Sequence, residues 1–566
     1  MPVLSFATGN SALVTGRDPL TELAFGARYI SFDNRSRFLA HTERMDLGLI
    51  AWPGGHLAEV RTDRYGLEHD GLYAEWTGKP GLDEMMELAI AHDSALAVTI
   101  PTIRYLGRES DLETDLDAFL QTLLSGSYGP LPKELILQVG SEFYHYFDGP
   151  DAAATYGGIA ATIVNTICRA LADPGVNTIG ADLQIAVQMG RTLAEDDLVR
   201  SGMCEQSLSR VAYLVHNHFT FQPDNADREM DDILASLERW DDANREAGGD
   251  GTGFFFAAYN IGQWTREGVL AEWLALQQAD GLPITDDDVD LAARTNTDFE
   301  AFWQQRLSEG AYGLEHATVL IELFSVHAEL GATAAAVFGI DTVHPGRLSW
   351  REDGQDHLFV GAEMIAMLYE SVRDTIPLGT EEPYHKDNPV TAWGFENDDK
   401  LVVFLAAGQR PPGEVVLDID GLGETYRSVF ADGLTAEIQH DWMEVFGIPD
   451  NPLVDETPEA QTYAKPVRSA VSATFDKDGI SLSLDAPFEI VRLAFAKTDA
   501  GRDEIASWTS ARPLDLILPP PIPPDPRPED PDGTDDDPDT PTEDGSEGAG
   551  FALALFALLP LLLLVR

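Results

Sequence analysis

Apolar and polar positions alternate on two different scales along the chain. From about residue 20 to 375, short apolar runs alternate with longer amphipathic stretches. The runs include Leu96–Ile100, Leu135–Val139, Ile185–Val187, Val211–Val215 and Phe254–Phe256. The intervening segments Asp83–His92, Ala152–Ala172 and Met230–Ala247 carry helical periodicity. Strand–helix alternation of this kind predicts an α/β fold with a parallel sheet, and roughly 350 residues suit a (β/α)8 TIM barrel with insertions. An open doubly wound sheet would require a glycine-rich phosphate loop after its first strand, and none is present.

Beyond residue 385 the period changes. Thr391–Phe395, Lys400–Leu405, Glu414–Ile419 and Ile480–Leu484 are short β-type runs separated by the turn signals Asn397-Asp398-Asp399, Pro411-Pro412-Gly413 and Asp478-Gly479. They predict a small β-sandwich. The pattern then breaks down. Residues 513–548 are rich in proline and aspartate with almost no apolar side chains after Ile522, which predicts a disordered, self-repelling stalk. Phe551 to Val565 is apolar throughout except for Pro560, and Arg566 follows. About 20 apolar residues span a bilayer comfortably, so the run is short for that task. Small residues, an apolar run and a terminal basic residue look like a bacterial carboxyl-terminal sorting signal, with a permanent membrane anchor as the alternative. The expected division is therefore a barrel over 1–380, a β-sandwich over 385–512, a linker over 513–548 and an anchor or sorting segment over 549–566. Such a tail implies a protein at the cell surface or secreted. The opening MPVLSFATGN lacks the basic and apolar regions of a conventional signal peptide.

Charge narrows the partners. With 96 acidic against 37 basic residues, the formal charge is −59. Such a surface repels nucleic acid and anionic membrane, so nucleic acid is not an expected partner. The two cysteines, Cys168 and Cys204, form no redox or zinc motif. His216 and His218 sit two apart and share one strand face, but no third ligand is evident, so no metal and no cofactor are expected. Asp286-Asp287-Asp288 after Thr285 reads as a helix amino-terminal cap, and Glu315, Glu322 and Glu329 as one solvated helix face.

In a barrel of this kind functional side chains project from the carboxyl ends of the strands. Read in order, those ends are Trp52-Pro53-Gly54-Gly55-His56, Gly140-Ser141-Glu142-Phe143-Tyr144, Gln188-Met189-Gly190, His216-Asn217-His218-Phe219, Ala257-Ala258-Tyr259-Asn260 and Gly339-Ile340-Asp341. This ordered set resembles the clan of retaining glycosidases that includes α-L-arabinofuranosidases, β-xylosidases and α-L-iduronidases. The resemblance covers about residues 20–375. It implies a polysaccharide or oligosaccharide ligand, Glu142 as general acid/base, and sugar contacts from Trp52, His56, Ser141, Tyr144, Gln188, His218, Tyr259 and Asn260. Retaining chemistry needs a second carboxylate about 5–5.5 Å away. Aligned on the clan's Thr-Glu-Trp-Asn motif, the nucleophile position is Ala258, and the Asn before the acid is Ser141. Asp341 is the leading substitute carboxylate, with Asp33 and Glu59 behind it. The alternative is a catalytically inactive carbohydrate-binding or surface-structural protein.

Overall fold

Eight apolar strands become the staves of a closed parallel barrel in the computed structural model, which describes residues 2–6, 17–29, 35–42, 45–60, 65–72, 79–147, 151–220, 224, 226, 230–262, 266–291, 293–340, 346–352, 355–379, 384–419, 425–426, 428–445, 459–476, 479–508 and 512–513. After β1 (Val3–Phe6), the staves run in chain order: β2 (Gly26–Arg28), β3 (Leu49–Trp52), β4 (Ala95–Ile100), β5 (Leu135–Val139), β6 (Gln184–Gln188), β7 (Val211–Thr220), β8 (Gly253–Ile261) and β9 (Ala332–Val337). β9 closes on β2. The lower interior is filled largely by small residues, Ala51, Ala95, Ala97, Ala186, Ala334 and Ala336, around the bulkier Tyr213 and Phe255. Alternation along the strands therefore sets the barrel lumen against the helix layer, and both faces are dry.

A second body of strands follows a short hairpin of β10 (Ser349–Glu352) and β11 (Gln355–Leu358). One sheet contains β12 (Ile376–Pro377), β13 (Val390–Glu396), β14 (Lys400–Ala407), β16 (Ser428–Val445), β17 (Glu459–Ser469), β20 (Ile490–Ala496) and β21 (Arg512–Pro513). The other contains β1, β15 (Gly413–Ile419), β18 (Ala473–Asp476) and β19 (Gly479–Leu484). Leu401, Val403, Leu405, Val415, Leu417, Ile480, Leu493 and Phe495 fill the space between the sheets. The fold is thus a TIM barrel followed by a β-sandwich. The first strand, counted with the barrel in the sequence division, instead pairs in parallel with β15, Val3 opposite Val416 and Phe6 opposite Ile419.

Barrel and sandwich form one compact unit. Every residue of β14 is buried because its sheet packs on the barrel as well as on its partner sheet. That contact overturns one sequence expectation. The helix Leu314–Leu330 lies beneath the sandwich, so Glu315 and Glu322 are buried rather than solvated. Arg306 meets Glu315 at 2.5 Å, and the Trp393 indole N–H donates to Glu322 at 2.7 Å. Deeper in the joint, Arg492 grips Asp432 through two bonds of 3.0 and 3.1 Å and reaches Glu370 at 2.8 Å. Asp288 does cap its turn, accepting from the Thr285 backbone and hydroxyl. Among the described residues no helix is long and apolar enough to cross a membrane. The linker beyond residue 513 and the tail 549–566 lie outside the described residues.

Candidate functional site

The tip of β5 is held by an unusual number of fixed groups. Gly140 turns the chain at φ +67°, and an added Cβ there would meet Tyr156 and Thr102 at about 3 Å. Glu142 follows in the left-handed region, at φ 46° and ψ 46°, a conformation that costs a non-glycine residue of order 1–3 kcal/mol. The surrounding bonds hold it there. The Ser141 N–H donates to Glu59 at 3.1 Å, and the Glu142 N–H to the Gln188 side-chain oxygen at 3.1 Å. Phe143 stacks on Tyr156 with centroids 4.4 Å apart. The Glu142 side chain stays 23% exposed, with its Oε1 3.8 Å from His145 Nε2.

Glu59 is the clamp beneath this tip. It is fully buried and accepts from the Thr102 N–H (2.8 Å), the Thr102 hydroxyl (2.9 Å), the Ile103 N–H (2.8 Å) and the Ser141 N–H. Burial pushes its carboxyl up, and those four bonds oppose the shift. Its oxygens are committed to fixing the loops after β4 and β5, which makes it a positioning residue.

The upper lumen turns polar. Arg28, Thr99, Gln138, Gln188 and Asn217 follow the alternation of their strands inward and are all buried. Arg28 Nη1 donates to the Ala257 carbonyl at 2.7 Å; Nη2 is 3.5 Å from the Pro53 carbonyl and 3.4 Å from the Thr99 hydroxyl. Burial lowers its pKa to about 10, with Glu142 and then Tyr146 working in the other direction. It remains a cation at neutral pH. Asn217 Nδ2 is 3.5 Å from the Ser141 hydroxyl, and Asn217 Oδ1 is buried without a partner. Tyr144 and Tyr146 flank the site. Desolvation, then the negative charge of Glu142, pushes both phenols well above their ordinary range. Arg191 lies over the Tyr144 ring at 4.7 Å.

The structure thus brings Glu142, Ser141, Gln188 and Tyr144 together at one mouth. Other expected site residues lie elsewhere. Asn217 pairs with Ala258 while His216 pairs with Phe256, so Ala257 is an extra residue in β8. That bulge carries Tyr259 to the outer face, where its hydroxyl lies 3.2 Å from that of Tyr369. His218 also faces outward, its Nδ1 3.0 Å from His327 Nε2. Asn260 spends its whole amide inside the protein: Nδ2 donates to the Phe338 and Gly346 carbonyls, while Oδ1 accepts from the Ile261 N–H and faces His316 Nε2 at 2.7 Å. Trp52 is fully buried, edge-on to Tyr65, and the Trp52–Pro53 peptide is cis. His56 falls in the helix Gly55–Val60, but its side chain, like Asp33 and Asp341, lies outside the described residues. Among the described residues no group of three His, Cys, Asp or Glu is placed to hold a metal.

Sequence reasoning passes over Arg28, Thr99 and Asn217 as site residues. Asn217 was within reach. Counting inward from Tyr213 and Val215 by twos selects Asn217 rather than His218.

No family model matches the sequence, and no curated protein does. Solved structures do match. The family 51 α-L-arabinofuranosidase AbfB of Bifidobacterium longum superposes with a TM-score of 0.54 at 13% identity, covering 88% of this chain and 100% of that one. The GH51 arabinofuranosidase of Xanthomonas axonopodis pv. citri gives 0.53 at 12%, over 85% and 98%. The α-L-arabinofuranosidase of Thermotoga maritima, solved with arabinose, gives 0.53 at 11%, over 87% and 99%. At this identity the likeness concerns architecture: the chain has the barrel-and-sandwich fold of the GH51 arabinofuranosidases.

Proposed function

We propose that the barrel mouth binds a polysaccharide or oligosaccharide and that Glu142 is its general acid. The observation that carries this reading is the held left-handed tip. The backbone that carries a partly exposed carboxyl is fixed by Gln188, by the Glu59-bound Ser141 amide and by the Phe143–Tyr156 stack. Tyr144 and Tyr146 beside it supply the aromatic surfaces on which sugar rings pack. In hydrolysis Glu142 gives its proton to the leaving glycosidic oxygen, and a second carboxylate attacks the anomeric carbon or activates water. Asp341, which follows the eighth stave in sequence, is the proposed partner. The Thermotoga structure of like fold is an arabinose complex, which favours a sugar as the ligand here too. The acidic stalk and apolar tail support a surface location.

The test is a panel of aryl glycosides and polysaccharides. Glu142→Gln should lower turnover by about 10²–10⁴-fold, as loss of a general acid does, and least for substrates with acidic leaving groups. Unchanged hydrolysis in that variant would remove Glu142 from the role. A second reading, sugar binding without turnover, is favoured by Ala257-Ala258 at the β8 tip, where no side chain can attack. It expects Glu142→Gln to bind glycans as well as the parent does.

A further inference from the structure

The floor of the mouth contains a cation that has no ion pair among the described residues. Arg28 is 2% exposed. Its hydrogen bonds run only to neutral acceptors, the carbonyls of Ala257 and Pro53 and the Thr99 hydroxyl. Among the described residues no carboxylate forms an ion pair with it. Glu142 acts on it through space without forming an ion pair, and the Glu142 side chain is 23% exposed. Buried guanidinium groups are ordinarily matched to a carboxylate or phosphate, because an unmatched charge out of water is costly.

Beside Arg28 stands a second unmet demand. Asn217 is 91% buried, by its 9% exposure, and faces the lumen from β7; its Oδ1 accepts nothing and its Nδ2 has only a 3.5 Å contact. Its partner across the ladder is Ala258, which carries no functional side chain. The neighbourhood therefore offers a forked cation and an open acceptor beside Ser141, the residue before the proposed acid.

We propose that this floor selects an anionic sugar, whose acid group is drawn to Arg28 while a ring hydroxyl donates to Asn217 Oδ1. The inference rests on the reading of the mouth as a sugar site and adds the substrate class. The acid group is a planar carboxylate, as in a uronic acid, or a sulfate ester; both match a guanidinium fork. The barrel floor thereby reverses locally the repulsion that the chain's acidic surface imposes on anions.

Calorimetric titration of the full chain decides it, using three oligosaccharides of the same backbone: neutral, carboxylated and sulfated. At least one acidic ligand should bind 10-fold or more tightly than the neutral one, and the winner identifies the acid group. Added salt should erode the difference. In Arg28→Gln the acidic preference should fall to within about 2-fold of parity, while Arg28→Lys retains part of it. Asn217→Ala should weaken all three ligands and keep the preference, which also serves if Arg28→Gln does not fold. Equal or tighter binding of the neutral ligand overturns the proposal and leaves the sugar site standing. So does a preference that survives in Arg28→Gln. Failure of all three ligands, together with no binding across a wider glycan panel, removes the sugar site itself and this inference with it.

Discussion

Arg28 and Arg492 are equally sealed from water, at 2% and 1% exposure, yet they keep opposite company. Arg492 sits at the barrel–sandwich joint with both oxygens of Asp432, Glu370 at 2.8 Å, the Met367 carbonyl and the face of Trp508. Its charge is answered entirely by the protein. Arg28 at the barrel mouth meets carbonyls and a hydroxyl. Under the proposed function, the difference separates a structural ion from one kept for a ligand: where a fold needs only rigidity it closes the ion pair, and at a site it leaves a demand unfilled.

The largest expected effect tests the closed pair. Asp432→Ala strands Arg492 and Arg468 without their shared carboxylate and should cost about 3–5 kcal/mol. Arg28→Gln should change stability by no more than about 1 kcal/mol, because it removes a buried charge along with hydrogen bonds of ordinary worth. Urea unfolding of both variants reads the contrast. Equal losses would erase the distinction.

A smaller effect comes from the outer face of the same staves. His216, beside His218 and packed on Phe254 and Phe256, has its pKa lowered to about 3 by burial and then by His218. The folded state therefore favours neutral His216, whereas the unfolded chain takes up a proton near pH 6.5. Stability from this group is complete above that pH and is lost progressively as pH falls toward 3. Between pH 7 and 5 the loss is about 2 kcal/mol for this one site. Relief of acidic repulsion acts in the other direction, so the measurement is the melting temperature against pH for the parent minus that for His216→Phe. A difference that does not change with pH would show that the histidine is not held neutral.

The smallest effect sharpens the cost of keeping a site. Glu142→Gly should raise stability by about 1 kcal/mol, since glycine takes φ 46° without penalty, while sugar turnover or binding falls. A destabilised glycine variant would mean that the Glu142 side chain contributes more to the fold than its backbone strain subtracts.

Much of this was legible in the sequence. Apolar runs such as Leu135–Val139 predict strands, and their order predicts the barrel. The Gly140-Ser141-Glu142 tip follows from its place after such a run. The remainder depended on long-range packing. Arg28 ends a stave of three residues, too short to register as a period. The extra residue at Ala257 reverses the face of everything after it, so Tyr259 cannot be assigned by counting along β8. Glu315 and Glu322 have the spacing of a wet helix face, and only the sandwich packed above them makes that face dry.

The parallel pairing of Val3–Phe6 with Gly413–Ile419 gives the chain an awkward schedule during synthesis. The first strand of the sandwich is made some 400 residues before the edge it must join, a wait of roughly 20–80 s at translation rates of about 5–20 residues per second. The barrel staves emerge in between and close on each other in order. The sandwich is consequently the last part to finish, and Val3 and Leu4 stay available to the wrong partner until Val416 and Leu417 arrive. Trimming that short strand would leave an apolar sheet margin open to other chains.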